Sequence, residues 1–175
     1  RVSLAPKGRA AQMNHGASLA KGRVLLFLHA DTALPHDGLD AAITTIHHGF
    51  AGGAFRLGFA SNRRVHAFWA WVATWRTRLT GVPYGDQAIF VRADVFRALG
   101  GFPEIPIMED VAFVRRLRAA GHRLRLLPQA VRTSPRRFDA EGLSLATLRN
   151  IVLRSLHSLG VPPRLLARLY PDQQE

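Results

Sequence analysis

The stretch that most constrains this chain runs from Val24 to Pro35 and reads VLLFLHADTALP. Its apolar residues lead directly into His29, Ala30, Asp31 and Thr32, and Pro35 closes the segment. A short continuous apolar run bounded by turn signals predicts a strand buried on both faces. Strands of that kind build open α/β sheets, whose ligands sit beyond the carboxyl ends of the strands. Alternation along such a strand puts Phe27, His29 and Asp31 on one face, with Asp31 placed to meet a substrate phosphate through a metal ion. The local alternative is that Asp31 or Thr32 starts a turn, as Asp and Thr often do.

Helical and strand patterns alternate around this stretch, which predicts α/β layers. Lys7 to Gly22 has a helical stripe of Met13, Ala17 and Ala20, with Gly22 as a stop. Asp37 is placed to cap a helix carrying Leu39, Ile43 and Ile46. Gly52 to Phe59 alternates large and small residues, as a half-exposed strand does. Ser61 to Thr80 predicts a longer helix, with Val65, Phe68, Trp69, Val72 and Leu79 on one stripe. Trp71 and Trp75 fall off that stripe, so the helix is apolar nearly all round. It suits either burial between layers or a position in a membrane interface.

Gln87 to Val91 reads as a short strand, and Asp94 to Leu99 as a helical turn stopped by Gly100 and Gly101. Glu109 to Ala120 reads as a helix with Phe113, Leu117 and Ala120 inward and Arg115, Arg116 and Arg118 outward. Leu124 to Leu127 and Ala130 to Thr133 read as two short strands flanking Pro128. Leu145, Leu148, Val152, Leu156 and Leu159 share a helical face, and Pro162 and Pro163 open a last short helix. We expect one domain over 1–175, with an α/β part over 1–140 and C-terminal helices over 141–175.

Composition narrows the partners. Without cysteine there is neither a disulfide framework nor a thiolate metal site. The formal net charge of +12 is nearly all arginine, because Lys7 and Lys21 are the only lysines. Arginine suits bidentate recognition of phosphate and carboxylate, so a nucleotide diphosphate, nucleic acid or an anionic membrane surface all fit. An arginine-rich surface without a specific partner fits too. No run approaches the ~20 apolar residues of a membrane span, and no signal peptide is visible, which points to the cytoplasm.

Four clusters could carry chemistry: His29 with Asp31, Gly85-Asp86-Gln87, Glu109-Asp110, and Thr133-Ser134 with Arg136 and Arg137. Each falls at a strand end or a helix start, where α/β enzymes keep reactive groups. Glu109 and Asp110 open a helix and complement its positive end. A carboxylate there can also take a proton from a hydroxyl nucleophile. Asp86 could be an ordinary turn residue, and Arg136 with Arg137 could be a diphosphate clamp or a solvated pair.

In order, KGRAAQMNHGASLAKG, LLFLHADT, PYGDQAIFVR, LGGFPEIPIMED and TSPRRF resemble the family-two glycosyltransferases of GT-A fold. The similarity is greatest to a small bacterial branch with LHADT in place of the usual Asp-x-Asp, and it covers the chain from Lys7 to about Tyr170. The resemblance implies a GT-A-like mixed sheet flanked by helices and an inverting transfer of a sugar from a nucleotide diphosphate to an acceptor hydroxyl. It implies that Asp31 holds a divalent metal, Mn²⁺ or Mg²⁺, against the diphosphate, and that Asp110, with Glu109 beside it, is the general base. Gly85, Asp86 and Gln87 would line the acceptor side, and Arg136 and Arg137 would bind the leaving diphosphate.

The sequence departs from the family twice. His29 stands where the common motif has its first Asp, which weakens the case for Mg²⁺ and leaves room for Mn²⁺. His29 could equally contact the sugar, support Asp31 or simply pack. The family's first βαβ unit, which grips base and ribose, has no counterpart before Lys7, so this chain alone is expected to be weakly active or inactive.

Two other readings stay open. A nucleotidyltransferase can share this kind of sheet and an acid-metal site. A basic nucleic-acid-binding module would gather its arginines on one face between stacking aromatics. Here they scatter over every predicted helix, so no nucleic-acid partner is expected. A peripheral contact at the inner face of a membrane and self-association through an open sheet edge complete the expectations.

Overall fold

In the computed structural model, which describes residues 2–136, 139, 152, 153, 156 and 161–167, helices and strands alternate along the chain. α1 (Arg9–Leu19) leads to β1 (Val24–Leu26), β2 (Thr32–Ala33), α2 (Gly38–His47) and β3 (Gly52–Arg56). α3 (Arg64–Thr80), a 3₁₀ turn (Gly85–Gln87), β4 (Phe90–Arg92) and α4 (Ala93–Ala98) follow. After them come α5 (Glu109–Ala119), β5 (Leu124–Ala130), β6 (Arg132–Thr133) and α6 (Pro163–Ala167). The main sheet has the order β1-β4-β3-β5. β3 and β5 are parallel, whereas β4 runs antiparallel to both of its neighbours. β2 and β6 pair separately as a small antiparallel ribbon. The chain therefore forms the α/β layers that its alternating pattern predicts, with a mixed sheet flanked by helices.

Neighbouring residues of a strand face opposite ways, and this sorts the core into two layers. Ala54 and Val91 join Ala17, Phe96, Phe113 and Leu117, on the side of α1, α4 and α5. Phe55 and Phe90 face the other way, toward Ala42 of α2 and the partly buried Trp69 and Ala73 of α3. In the first layer Phe27, Phe96, Phe102 and Phe113 pack as tilted and edge-on rings, with centroids 4.7 to 5.4 Å apart. Gly53 lets β3 lie close to its neighbours. A Cβ there would overlap the Arg125 carbonyl oxygen and come within 2.7 Å of the Phe90 ring.

Several expectations are corrected. The ladder of the central apolar stretch ends at Leu26, opposite Phe90, with one further bond from Phe27 N–H to the Ile89 carbonyl at 2.9 Å. The reason lies in its partner: Ala88 is left-handed (φ 46°) and residues 85–87 form a 3₁₀ turn, so nothing extended faces residues 28–31. The chain instead closes a turn, Thr32 N–H donating to the His29 carbonyl at 3.1 Å. The turn takes in Asp31, so the alternation expected from Phe27 through His29 does not reach it. β3 is buried along Gly52 to Phe55 rather than half-exposed, because α2 and α3 cover its second face.

Asp37 precedes α2 but makes no side-chain cap, its carboxylate accepting instead from Gln129 Nε2 at 2.7 Å. The two expected strands around Pro128 are largely one, β5, with a register irregularity opposite Ala54 to Arg56. As an edge strand, β5 can hold a proline there without losing a bond to a further strand. Ala120 ends α5 exposed. Of the C-terminal helical face, Val152 and Leu156 are described, while Leu145, Leu148 and Leu159 lie outside the described residues.

Candidate functional site

Three segments meet at the end of the sheet where β4 begins. Gly85 is the first residue of the 3₁₀ turn, and its N–H donates to Asp110 Oδ2 at 2.6 Å. Asp110 Oδ1 accepts the N–H of Val111 at 2.8 Å, so one backbone donor holds each carboxylate oxygen. His29 and Asp110 both flank the space where a Gly85 side chain would sit. A Cβ on Gly85 would stand 3.0 Å from His29 Nε2 and 3.3 Å from Asp110 Oδ2, so any side chain there would press on both. Asp110 and His29 are both half-buried, which keeps them accessible.

The backbone is unusual on both sides of this contact. Among the described residues only Ala88 (φ 46°) and Met108 (φ 65°) are non-glycine residues with positive φ. One follows the Gly85–Gln87 turn and the other precedes Glu109-Asp110. Left-handed backbone outside glycine persists where the surroundings over-determine it, and such positions cluster at functional sites.

Gln87 holds the turn in place. It is fully buried, and its Oε1 accepts from Arg76 Nη2 at 3.0 Å and from Tyr84 N–H at 3.1 Å, with the Thr77 hydroxyl 2.8 Å away. Its Nε2 donates to the Phe55 carbonyl at 3.0 Å. The Arg76 guanidinium also stacks on the Tyr84 ring, 3.1 Å from its centroid. The side chain expected to line an acceptor surface thus faces the interior and ties the loop to α3 and β3. Asp86 sits half-buried in the same turn.

Glu109 is committed elsewhere. Its carboxylate is buried, and Arg9 of α1 grips both oxygens, Nε at 2.9 Å and Nη2 at 3.1 Å. Burial pushes the Glu109 pKa up, the Arg9 charge opposes that, and the neighbouring Asp110 adds to it. The two adjacent acids therefore separate, Glu109 fastening α1 to α5 and Asp110 facing His29 and Gly85. Asn14 reinforces the α1 contact, its amide donating to the Phe102 carbonyl and accepting the Phe102 N–H, each at 2.9 Å.

Asp31 belongs to a second group on the small ribbon. Its carbonyl accepts Ser134 N–H at 3.0 Å, and its exposed carboxylate lies 3.2 Å from the Thr32 hydroxyl. Buried Thr32 and Thr133 meet across β2 and β6 at 3.0 Å. Arg136 Nε donates to Ser134 Oγ at 3.2 Å. Asp31 and Arg136, a hundred residues apart, thus share one edge of the ribbon through Ser134. Arg137 lies outside the described residues.

No family model matches this chain, and no curated protein matches it significantly. What the site can hold must be argued from its donors. Among the described residues no group of three or more His, Asp or Glu side chains is placed to bind a metal ion. Asp31 offers a single exposed carboxylate, which fits a hard divalent ion only if ligand phosphates supply further oxygens.

Arg9, Asn14, Arg76 and Tyr84 escaped the sequence reading. One signal was available for Arg9: it opens α1, where a cation opposes the helix dipole and no acid balances it. Nothing local marks the others.

Proposed function

We propose that this chain is a catalytic domain of an inverting, GT-A-type glycosyltransferase that moves a sugar from a nucleotide diphosphate to an acceptor hydroxyl. The observation that carries the reading is the juxtaposition of His29, Gly85 and Asp110, with each Asp110 oxygen held by a backbone N–H. A carboxylate fixed in this way, half-open and beside an imidazole, is suited to general-base work.

In the proposed reaction Asp110 takes the acceptor's hydroxyl proton as the oxygen attacks the anomeric carbon. The bond from that carbon to the diphosphate oxygen breaks, and the diphosphate leaves with the electron pair. Arg136 is within the chain's reach of the ribbon edge that carries Asp31, and it would meet the charge of the leaving group. A divalent metal held by Asp31 together with diphosphate oxygens would supply further neutralisation there. Glu109 serves by holding α1 and α5 together. Gly85 offers the acceptor a close approach to Asp110.

Calorimetric titration with UDP and GDP, with and without Mn²⁺, tests the donor half on the wild-type chain and on Asp31→Ala. Binding that requires both Mn²⁺ and Asp31 is expected. Nucleotide binding that ignores the metal and survives Asp31→Ala would remove Asp31 from the site. Binding of single-stranded nucleic acid that falls steeply with salt, with no response to either nucleotide, would replace the reading with a nucleic-acid module.

A further inference from the structure

α3 is built inside out. The residues it buries are small or polar: His66, Thr74 and Thr77. Most of its large apolar residues face solvent, Phe68 at 53% exposure, Trp71 at 56%, Trp75 at 43% and Leu79 at 81%, with Val65 at the head of the row, while Trp69 packs on the sheet. Steps of three and four along the helix keep the exposed residues on one stripe. Their rings form a continuous strip, with the centroids of Phe68 and Trp71 6.1 Å apart and those of Trp71 and Trp75 also 6.1 Å apart. The expected stripe of Val65, Phe68, Trp69, Val72 and Leu79 is thus split: Trp69 packs against the sheet, while Val65, Phe68 and Leu79 face solvent together with Trp71 and Trp75. The alternative of a helix buried between layers is thereby set aside. A contiguous aromatic patch left in water marks a surface that something covers.

Charge selects the occupant. No Asp or Glu occurs between Asp40 and Asp86, while Arg56, Arg63, Arg64, Arg76 and Arg78 all fall in that span. Arg64 and Arg78 are exposed toward the two ends of the strip, and the Arg78 guanidinium sits 5.3 Å from the Trp75 ring centroid. Asp139, itself exposed, is paired with Arg63 and with the buried His66 at the start of the helix. A second copy of this chain docked through the strip would set arginine against arginine. Tryptophan and arginine together suit the boundary of an anionic bilayer, where rings enter the headgroup layer and guanidinium groups meet lipid phosphates. No described helix is long and apolar enough to cross a membrane, so α3 would lie in the surface.

We propose that α3 docks this chain on an anionic lipid surface through Phe68, Trp71, Trp75 and Leu79, with Arg64 and Arg78 on the phosphates. This inference does not depend on the sugar-transfer reading. The opposite side of the same helix grips Gln87 through Arg76 and Thr77, so docking would hold the loop carrying Gly85 near the lipid.

Sedimentation of the full chain with vesicles tests the proposal, using phosphatidylcholine alone and phosphatidylcholine mixed with phosphatidylglycerol, read together with tryptophan emission. Wild type should sediment with the anionic vesicles, less so as salt rises, and its emission should shift to the blue. Trp71→Ser combined with Trp75→Ser should abolish sedimentation. Arg64→Gln and Arg78→Gln should each weaken it about fivefold. Leu39→Ser, at an exposed apolar position on α2, should leave it unchanged. Absence of wild-type binding at low salt overturns the proposal, as does binding that survives both the tryptophan and the arginine changes. If the tryptophan variant instead turns a dimer into a monomer without any vesicle binding by wild type, the strip is a self-association face and the proposal fails. Should that variant unfold, the exposed arginine variants decide the matter.

Discussion

The Gly85 N–H donates to Asp110 Oδ2 at 2.6 Å, joining the loop before β4 to the first turn of α5 across 25 residues of sequence. This bond orients the carboxylate proposed as base, and the absence of a side chain on Gly85 leaves room for His29. Asp110→Asn keeps the shape of that contact and removes the proton acceptor. In any donor–acceptor pair that turns over, we expect it to lower kcat by about 10²- to 10⁴-fold. Nucleotide affinity, measured by titration, should stay near wild type. A comparable loss of nucleotide binding would put Asp110 on the donor side instead.

Gln87→Leu removes an acceptor shared by Arg76, Thr77 and Tyr84 N–H and a donor to the Phe55 carbonyl; Arg76 keeps Thr77 Oγ1 and Thr77 keeps the Ala73 carbonyl, so the Tyr84 N–H and the Phe55 carbonyl lose most. Each unsatisfied buried group costs about 1–3 kcal/mol, so a loss of about 3 kcal/mol in urea unfolding is expected. A loss near zero would mean that the loop is held by other contacts. The variant should also impair any activity that depends on Gly85, since the turn is no longer pinned to α3.

Glu109 links stability to pH. Burial raises its folded pKa above the ordinary glutamate value against the opposing charge of Arg9. The folded chain then holds this proton more tightly than the unfolded chain does. Stability from this group is present below the unfolded pKa, about 4.3, and is lost as pH rises through the raised folded value. Glu109→Gln should flatten that fall, as thermal melts across the acidic range would show. Arg9→Ala removes the opposing charge and should deepen the fall. It should cost about 2 kcal/mol near neutral pH, a modest figure for a broken pair because Arg9 is half-exposed.

Gly53→Ala tests the packing of the sheet. The new methyl group has no room between the Arg125 carbonyl and the Phe90 ring, and β3 can yield only by parting from β5 or moving Phe90. Overpacking of this kind costs about 1–3 kcal/mol, and the midpoint of chemical denaturation should fall accordingly. An unchanged midpoint would show that β3 has slack.

Much of the architecture was legible in the residues. The alternation of helical and strand periods foretold α/β layers, and α1, α4, α5 and α6 fall where their stripes, glycine stops and prolines put them. Local pattern decides these elements because each hydrogen-bonds within itself or is ended by a residue that cannot continue it. The turn chemistry of Asp31 and Thr32 was legible as well, as one of two readings of the same stretch. Choosing between them required knowing that the partner strand begins only at Phe90.

Composition and local order by themselves determined the α/β class, the arginine-dominated charge and the short list of groups able to do chemistry. Only the tertiary structure decided what those groups contact. It separated Glu109 from its neighbour Asp110 by giving one to Arg9 and the other to Gly85, and it turned Gln87 inward. It also packed Trp69 of α3 on the sheet and left Phe68, Trp71 and Trp75 outward. Helical periodicity states which residues share a face, but which face is buried depends on what packs against it. For α3, a sheet layer already occupied by Phe55 and Phe90 has Ala70 and Ala73 packed against it beside Trp69, and Trp71 and Trp75 remain outside.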